Sequence, residues 1–360
     1  MGPLFREIYY YLGNSMPRAF PFAGKCATKR APTPTSWSEP MTTTSLIRTI
    51  LSFCAFIAMI MTGAVGAKPN SRDLLINSLI RDDIRVASTG FRLAVANAGR
   101  CSKKMPATGL ILHSLSQYQG KWRNAAKGYF AESDQVTVEA VVAGSPGALA
   151  GIRERDAILG FNGERLGQAA SSRSDPTGNR DRAEAILLAL PVAEKIVLTI
   201  RREGSLSQMA VMPIAACLAR FELVAGSAEF ARSDGQVIQV GQGLAGSVSD
   251  TDLAVIIAHE LAHSILDHRT RLAELDRSKD RDSRRRRREL ARAFENQADR
   301  LSVHLLASAG FDPRSAPDFM RRVGKGFDNA SAAGGLHDTA NARAAAMDDE
   351  ILKMGASFAG

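Results

Sequence analysis

Aromatic residues and long apolar runs are both scarce in this chain. Phe, Trp and Tyr make up only 6% of the 360 residues, so we expect cores built from Ala, Leu, Val and Ile. Beyond residue 67, no apolar stretch approaches the roughly 20 residues that a membrane-spanning helix needs. The sequence therefore predicts that this part of the chain is soluble or peripheral to a membrane.

Positive charge exceeds negative charge, and much of the excess lies in one place. The chain has 46 Lys and Arg against 37 Asp and Glu, a formal net charge of +9. An uninterrupted run of arginines extends from Arg284 to Arg288, which is typical of a solvated helix face. Aromatic residues do not alternate with the run, as they do in grooves that bind single-stranded nucleic acid. We therefore expect no nucleic-acid partner.

The first 67 residues have the organisation of an export signal. Residues 1–40 are rich in Pro, Ser and Thr without apolar periodicity, which predicts a disordered N-terminus. Residues 41–67 combine Arg48, an apolar stretch over residues 50–61 and small residues ending at Ala67, as secretory signal peptides do. This pattern predicts export to the periplasm or cell envelope. An uncleaved N-terminal anchor is the one membrane attachment that the sequence leaves open.

Two cysteines, Cys101 and Cys217, lie beyond the predicted signal. An even number of cysteines in an oxidising compartment favours one disulfide, and two buried thiols are the alternative. A bridge between them would close a loop of roughly 100 residues, for which the chain-entropy treatment gives a stabilisation of about 4–5 kcal/mol.

Apolar periodicity divides the rest of the chain into three parts and predicts an α+β fold. Residues from Leu74 to Val86 repeat at helical spacing. Alternating side chains over residues 136–142 predict a half-buried strand, and two further strands flank Glu203-Gly204 as a hairpin. The predicted parts are an N-terminal helical part (68–107), a β-rich part (108–214) and a mainly helical core (215–360).

The β-rich part resembles a PDZ domain. The PDZ pattern is matched by Val142, Ser145-Pro146, Ala150-Gly151-Ile152, Asp156, Ile158 and Asn162-Gly163. Arg155 stands where the family usually has glycine. The resemblance implies a domain that could hold a peptide C-terminus, with Gly128-Tyr129-Phe130 at the place of the carboxylate-binding loop. A purely structural insert is the alternative.

A His-Glu-x-x-His motif lies on a predicted helix over residues 253–268. His259 and His263 are one turn apart, so both imidazoles share a helix face and can bind one ion. Neutral imidazole is the usual ligand of zinc. Glu260 can reach water on the metal without being a ligand, and so can act as general base.

A second predicted helix, over residues 290–307, offers a third ligand in Glu295. Asp299, one turn later, can accept the outer N–H of a ligating histidine and fix its tautomer. An ordinary polar helix face is the alternative for both carboxylates. The two helices together predict a zinc site with two histidines and one glutamate, which leaves a coordination position open.

Residues 221–350 resemble the gluzincin peptidase family that includes the CAAX prenyl protease, HtpX and BepA. The shared segments are residues 234–241, the motif at 259–263, the Glu-x-x-x-Asp pair at 295–299 and residues 309–313. The resemblance implies a zincin-type core with a small edge sheet. It also implies one zinc ion per chain, held by the two motif histidines and Glu295, with Glu260 as the catalytic base.

Members of that family also carry a late histidine and arginine. His337 and Arg343 match this pair loosely, with Asp338 in place of proline, and the likeness implies that one or the other stabilises the oxyanion. A surface histidine and a helix-capping arginine are the alternative. His268 lies five residues past His263, about 140° further around a continuous helix, so we expect it to miss the ion and to be a structural or surface histidine. No function is assigned to the remaining histidines, His113 and His304.

An edge strand beside the zinc helix is expected to hold the substrate backbone in extended form. Its predicted residues are Val237, Ile238, Gln239 and Val240. We therefore expect an endopeptidase that acts on extended or misfolded protein segments. The alternative is a non-catalytic PDZ-type peptide-binding protein with a structural metal.

Overall fold

The computed structural model describes residues 71–130, 135–167, 177–276, 281–331 and 338–357. The predicted export signal and His337 lie outside these residues. The described part falls within one compact unit and contains both helices and antiparallel sheets, so the fold is α+β. Within these stretches, every helix is too short or too polar to cross a lipid bilayer.

Helices dominate the beginning and the end of the described chain. They are α1 (Ser71–Ala96), α2 (Gly120–Phe130), α3 (Pro146–Leu149), α4 (Gly178–Ala189), α5 (Gln242–Ser247), α6 (Asp250–Ile265), α7 (His268–Asp276), α8 (Arg281–Ser308), α9 (Ser315–Ser331) and α10 (Ala340–Ser357). Short 3₁₀ turns at Ala98–Arg100 and Leu115–Gln117 complete the set.

Strands fill the middle of the chain. They are β1 (Lys104–Ala107), β2 (Leu110–His113), β3 (Thr137–Val141), β4 (Ala157–Phe161), β5 (Glu164–Arg165), β6 (Ile196–Arg202), β7 (Ser205–Val211), β8 (Ile214–Cys217), β9 (Arg220–Val224), β10 (Ala231–Ser233) and β11 (Val237–Gly241). They pair as a β1-β8 ribbon, a β10-β11-β9 sheet and a larger sheet of order β2-β3-β4-β6-β7, with β5 on β4.

The larger sheet runs from β2 to β7 and has its own apolar core, which includes Val138, Leu198 and Ile200. The predicted hairpin between β6 and β7 is confirmed. Its turn residues Glu203 and Gly204 have φ of 50° and 84°, the left-handed conformation that a two-residue hairpin turn requires. The prediction of a half-buried strand at β3 is wrong, because α1 packs on β3 and even Glu139 is only 2% exposed.

A disulfide between Cys101 and Cys217 joins the two ends of the segment that contains this sheet. The bridge lies beside the β1-β8 ribbon, in which Lys104 is opposite Cys217. The covalent link and the ribbon together close a loop with a sequence separation of 116 residues. Both ends of the β-rich segment are therefore fixed to the same point of the helical core.

The helical core packs α6 against α8, α1 and β10. The inner face of α6 contributes Leu253, Ile257 and Leu261, all fully buried, and each such side chain stabilises the fold by about 1.5–3 kcal/mol relative to exposure. Ile238 and Val240 of β11 face the same core. α6 is thus held on several sides, which fixes the direction of the polar side chains along its remaining face.

Candidate metal centre

The two histidines of the motif converge as their spacing predicts. His259 and His263 lie one turn apart on α6, and their Nε2 atoms are 3.0 Å from each other. The Ser249 hydroxyl accepts a hydrogen bond from the Asp252 N–H and caps the helix, so the motif lies well inside a regular helix. Both imidazoles are 19% exposed, which leaves a path from solvent to their edges.

Glu295 of α8 meets these histidines. Its Oε2 is 3.3 Å from His259 Nε2 and its Oε1 is 3.6 Å from His263 Nε2. The three side chains form a group whose ligand atoms could hold one metal ion. The structure therefore brings together the three residues that the sequence predicts as ligands.

The donor separations fit a zinc ion. With bonds of 2.0–2.2 Å, donors at the corners of a tetrahedron lie about 3.3–3.6 Å apart. Two of the observed separations, 3.3 and 3.6 Å, fall in this range, and the third, 3.0 Å, is slightly shorter. Two imidazoles and one carboxylate also match the donor types of catalytic zinc sites.

Asp299 holds the outer nitrogen of His259, as predicted. Its Oδ1 is 3.0 Å from His259 Nδ1, and the carboxylate is 1% exposed. Arg343 of α10 donates from Nε and Nη2 to Asp299 at 2.6 and 2.8 Å. Burial alone would raise the pKa of Asp299, but the Arg343 charge and the His259 hydrogen bond outweigh it and lower that pKa.

Arg343 therefore has a different place from the one expected. Its guanidinium, 8% exposed, makes a bidentate pair with Asp299 and lies 3.6 Å from Glu295. Both guanidinium hydrogen bonds are directed at Asp299, so this geometry does not support the expectation that Arg343 stabilises an oxyanion. The other member of the expected pair, His337, lies outside the described residues, and Asp338 accepts a hydrogen bond from Asn296 Nδ2 at 2.8 Å.

His268 is not in the group that could hold an ion, as expected, but it has a contact with His263 that sequence reasoning missed. Its Nδ1 is 3.0 Å from His263 Nδ1, and its Nε2 is 3.2 Å from Gln297 Oε1. The prediction assumed a continuous helix to residue 268, but α6 ends at Ile265. Asp267 adopts φ of 52° and reverses the chain, so His268 folds back onto the motif. Aspartate tolerates this left-handed conformation, and that is the signal that could have revealed the break.

Glu260 lies beside the ligands and faces the small sheet. The Ser233 backbone N–H donates to its carboxylate, and burial raises the pKa of Glu260 to about 7 against the lowering effect of His259. Ser264 strengthens this contact between α6 and β10, because its hydroxyl is 2.7 Å from that of Ser233.

The expected substrate strand is wrong in its position. Val237, Ile238, Gln239 and Val240 lie in β11, which is the central strand of its sheet: it pairs in parallel with β9 and antiparallel with β10. Its backbone groups are therefore already bonded on both sides. The edge strand next to α6 is β10, and sequence alone could not reveal this because a three-residue strand has little periodicity.

A polar ladder crosses the outer face of this sheet. Arg232 on β10 donates to Gln239 Oε1 at 2.6 and 3.0 Å, and Gln239 Nε2 donates to Glu222 Oε2 at 2.9 Å. Arg180 of α4 then donates to Glu222 Oε1 at 3.1 Å. The ladder connects the helix of the β-rich segment to the edge strand that holds Glu260.

A second group of carboxylates, Asp181, Glu184 and Glu222, is close enough to hold an ion. Arg180 bonds to Asp181 at 2.8 Å and to Glu222 at 3.1 Å, and Arg220 bonds to Glu184 and Glu222. These two guanidinium groups satisfy the acidic group, which is therefore an ion-pair network that fixes α4 to β9.

The Gly128-Tyr129-Phe130 segment is not a loop. It forms the last residues of α2, where backbone N–H groups bond within the helix, so its expected role as a carboxylate-binding loop is wrong. Of the other histidines, His304 bonds to Glu350 at 2.9 Å and His113 is buried against the Phe130 ring.

Comparison with known proteins adds little to this geometry. The chain matches no family model and no curated protein. Among solved structures it is similar to the HtrA-type protease AlgW with decapeptide, at 17% identity and a TM-score of 0.23. That likeness covers 31% of this chain and 30% of the other, and it is too slight to bear on fold or function.

Proposed function

We propose that this protein is a zinc-dependent endopeptidase of the gluzincin type that cleaves extended or misfolded protein segments in the cell envelope. The observation that carries the proposal is the convergence of His259, His263 and Glu295 at separations of 3.0–3.6 Å between donor atoms. Zinc held by these donors would supply a Lewis acid for the peptide carbonyl and lower the pKa of water to near 7.

The neighbouring side chains have the roles that hydrolysis needs. Glu260 would take the proton of the attacking water and deliver it to the leaving amine, as a general base and then a general acid. The Ser233 N–H holds its carboxylate in place. Asp299 and Arg343 keep His259 in one tautomer and orientation, so that its Nε2 lone pair faces the ion.

β10 is the strand that supports an extended substrate. Phe230 and Asp234 bond to β11 through the Gly241 N–H and the Val237 carbonyl. In an antiparallel ladder the residues between such pairs alternate in direction, so the backbone groups of Ala231 and Ser233 turn away from β11. A substrate that adds beside β10 would pair with Ala231 and pass along α6.

The β-rich segment is proposed as a PDZ-like domain, on the sequence pattern and on its antiparallel sheet. β2 is one of the two terminal strands of that sheet, and α4 packs beside it, so we expect a bound peptide to add along β2 next to that helix. Recruitment of unfolded protein segments to the metal centre is its proposed role. Export to the periplasm or cell envelope rests on the signal pattern over residues 41–67.

The test is metal analysis combined with a cleavage assay. The purified protein is expected to hold about one zinc per chain, to cleave casein and to lose cleavage in chelator. Glu260→Gln should keep zinc and lose about 10²–10⁴-fold in cleavage rate. Glu289→Gln, an exposed position on α8, is the matched control and should cleave normally.

Two results would contradict the proposal. Cleavage that survives in Glu260→Gln would remove that residue from catalysis. Zinc binding without cleavage of any unfolded substrate would favour the alternative, a peptide-binding protein with a structural metal.

A further inference from the structure

We propose that His268 is a positioning residue for the metal centre, which accepts a hydrogen bond from His263 Nδ1–H and thereby keeps the His263 Nε2 lone pair free for the ion. The inference rests on the proposed zinc site. It gives a function to a histidine that lies outside the motif and belongs to a different helix.

The direction of the hydrogen bonds follows from the chemistry of the last partner. The amide of Gln297 is oriented with its Oε1 towards His268 Nε2, at 3.2 Å. In this orientation the oxygen accepts, so His268 Nε2 carries the proton. A neutral imidazole has one N–H, which makes His268 Nδ1 an acceptor. His263 Nδ1, 3.0 Å away, must then donate to it. The proton of His263 is thus on Nδ1, and its Nε2 is unprotonated.

The position of His268 is fixed from two sides. The reversal at Asp267 places it at the start of α7, and its ring stacks on Phe294 with a centroid distance of 4.0 Å and an interplanar angle of 4°. It is 2% exposed. Its ring plane is therefore set independently of His263, which a residue that orients another side chain requires.

The two ligand histidines are oriented by different chemistry. His259 donates to Asp299, a carboxylate that Arg343 compensates. His263 donates to a neutral imidazole. Each histidine has its own orienting partner, so loss of one partner should loosen one ligand and leave the other in place.

Two substitutions separate hydrogen bonding from packing. His268→Phe keeps an aromatic ring on Phe294 but removes the acceptor, whereas His268→Gln keeps an acceptor oxygen and removes the ring. We expect zinc affinity, measured by competition with a chromogenic chelator on the full-length protein, to fall about 10–100-fold in His268→Phe. His268→Gln should stay within a few-fold of the unsubstituted protein, as should the control His304→Ala.

The tautomer of His263 gives a second readout. Long-range ¹⁵N–¹H correlation of the metal-free protein should show the proton on Nδ1, and His268→Phe should shift the population towards Nε2–H. Unchanged zinc affinity in His268→Phe, or loss only in His268→Gln, would overturn the inference and leave a packing role. If the unsubstituted protein binds no zinc, the proposed function itself fails, and the inference fails with it.

Discussion

The candidate metal centre and the junction between α1 and the larger sheet both bury polar groups, but they do so in opposite ways. At the metal centre, Asp299 and His268 each bond to two or more partners that are themselves held. At the junction, His113 and Glu139 are each 2% exposed. Both His113 ring nitrogens have no hydrogen-bond partner within the described part of the chain, and Glu139 is bonded to Tyr118 and to the carboxyl group of Asp83 without a compensating cation in direct contact. At the candidate metal centre, hydrogen bonds hold charged and polar side chains in fixed orientations. At the junction, burial favours the uncharged forms of the side chains.

Burial is the main cause of the shifted pKa values at the junction. Burial raises the pKa of Asp83 to about 7, against a hydrogen bond from the Leu223 N–H, and it raises the pKa of Glu139 well above its ordinary value. Burial likewise lowers the pKa of His113 to about 3, with help from the Arg180 charge. Burial therefore favours the uncharged forms of all three groups.

The largest expected effect is at the candidate metal centre, where a buried carboxylate is paired with a buried guanidinium. Arg343→Met would leave Asp299 buried with only His259 as a partner, since both guanidinium hydrogen bonds are lost. Breaking a buried pair by removing one partner costs about 3 kcal/mol. Urea denaturation of the metal-free protein should show this decrease in the free energy of unfolding.

An exposed arginine provides the matched control. Arg321 of α9 pairs with Asp318 and Asp348 and is 44% exposed, so Arg321→Met should cost at most about 1 kcal/mol. Equal losses in the two variants would mean that the Asp299–Arg343 pair is not the buried, mutually dependent unit that its geometry indicates.

Features that depend on local spacing could be predicted from sequence, and features that depend on distant pairing could not. The i, i+4 geometry of His259 and His263 is a property of any helix, and Glu295 and Asp299 repeat it. The central position of β11 depends on its parallel pairing with β9, which lies further away in the chain, in addition to its local pairing with β10. His268 was missed because one residue, Asp267, changes the direction of the chain, and helical periodicity contains no information about that change.

The junction yields the next prediction, on pH. Asp83 titrates at 3.8 in its ordinary environment and at about 7 in the folded protein. Between these values the folded state binds more protons than the unfolded chain, so the free energy of unfolding decreases as the pH rises from about 4 to 7. Asp83→Asn removes this group and retains an acceptor for the Leu223 N–H. The variant should be about as stable as the unsubstituted protein near pH 4 and more stable at pH 7.5, and the difference should grow with pH across that range.

The adjacent residue, Asp82, provides a control that separates the titration of Asp83 from the general effect of replacing a buried carboxyl group. Asp82 is also buried, but it pairs with Arg81 and Arg85. Asp82→Asn weakens those pairs and should lower the free energy of unfolding at pH 7.5. Thermal melts of both variants between pH 4 and 8 would sink the interpretation if Asp83→Asn were destabilising across the whole range.

The smallest expected effect lies in the larger sheet, at a residue chosen by its backbone. Arg155 has φ of 68°, and a non-glycine residue in the left-handed region costs about 1–2 kcal/mol. Arg155→Gly removes that strain but frees the unfolded chain and loses the contact with the Tyr129 ring, so the net gain should be about 0.5 kcal/mol. Arg153, two residues earlier, does not have a positive φ. Arg153→Gly should therefore lower the free energy of unfolding by about 0.5–1 kcal/mol. Urea denaturation measures the change in the free energy of unfolding for both variants. Changes of opposite sign would show that backbone conformation, and not the loss of an exposed arginine, determines the result. Changes of the same sign would contradict this interpretation.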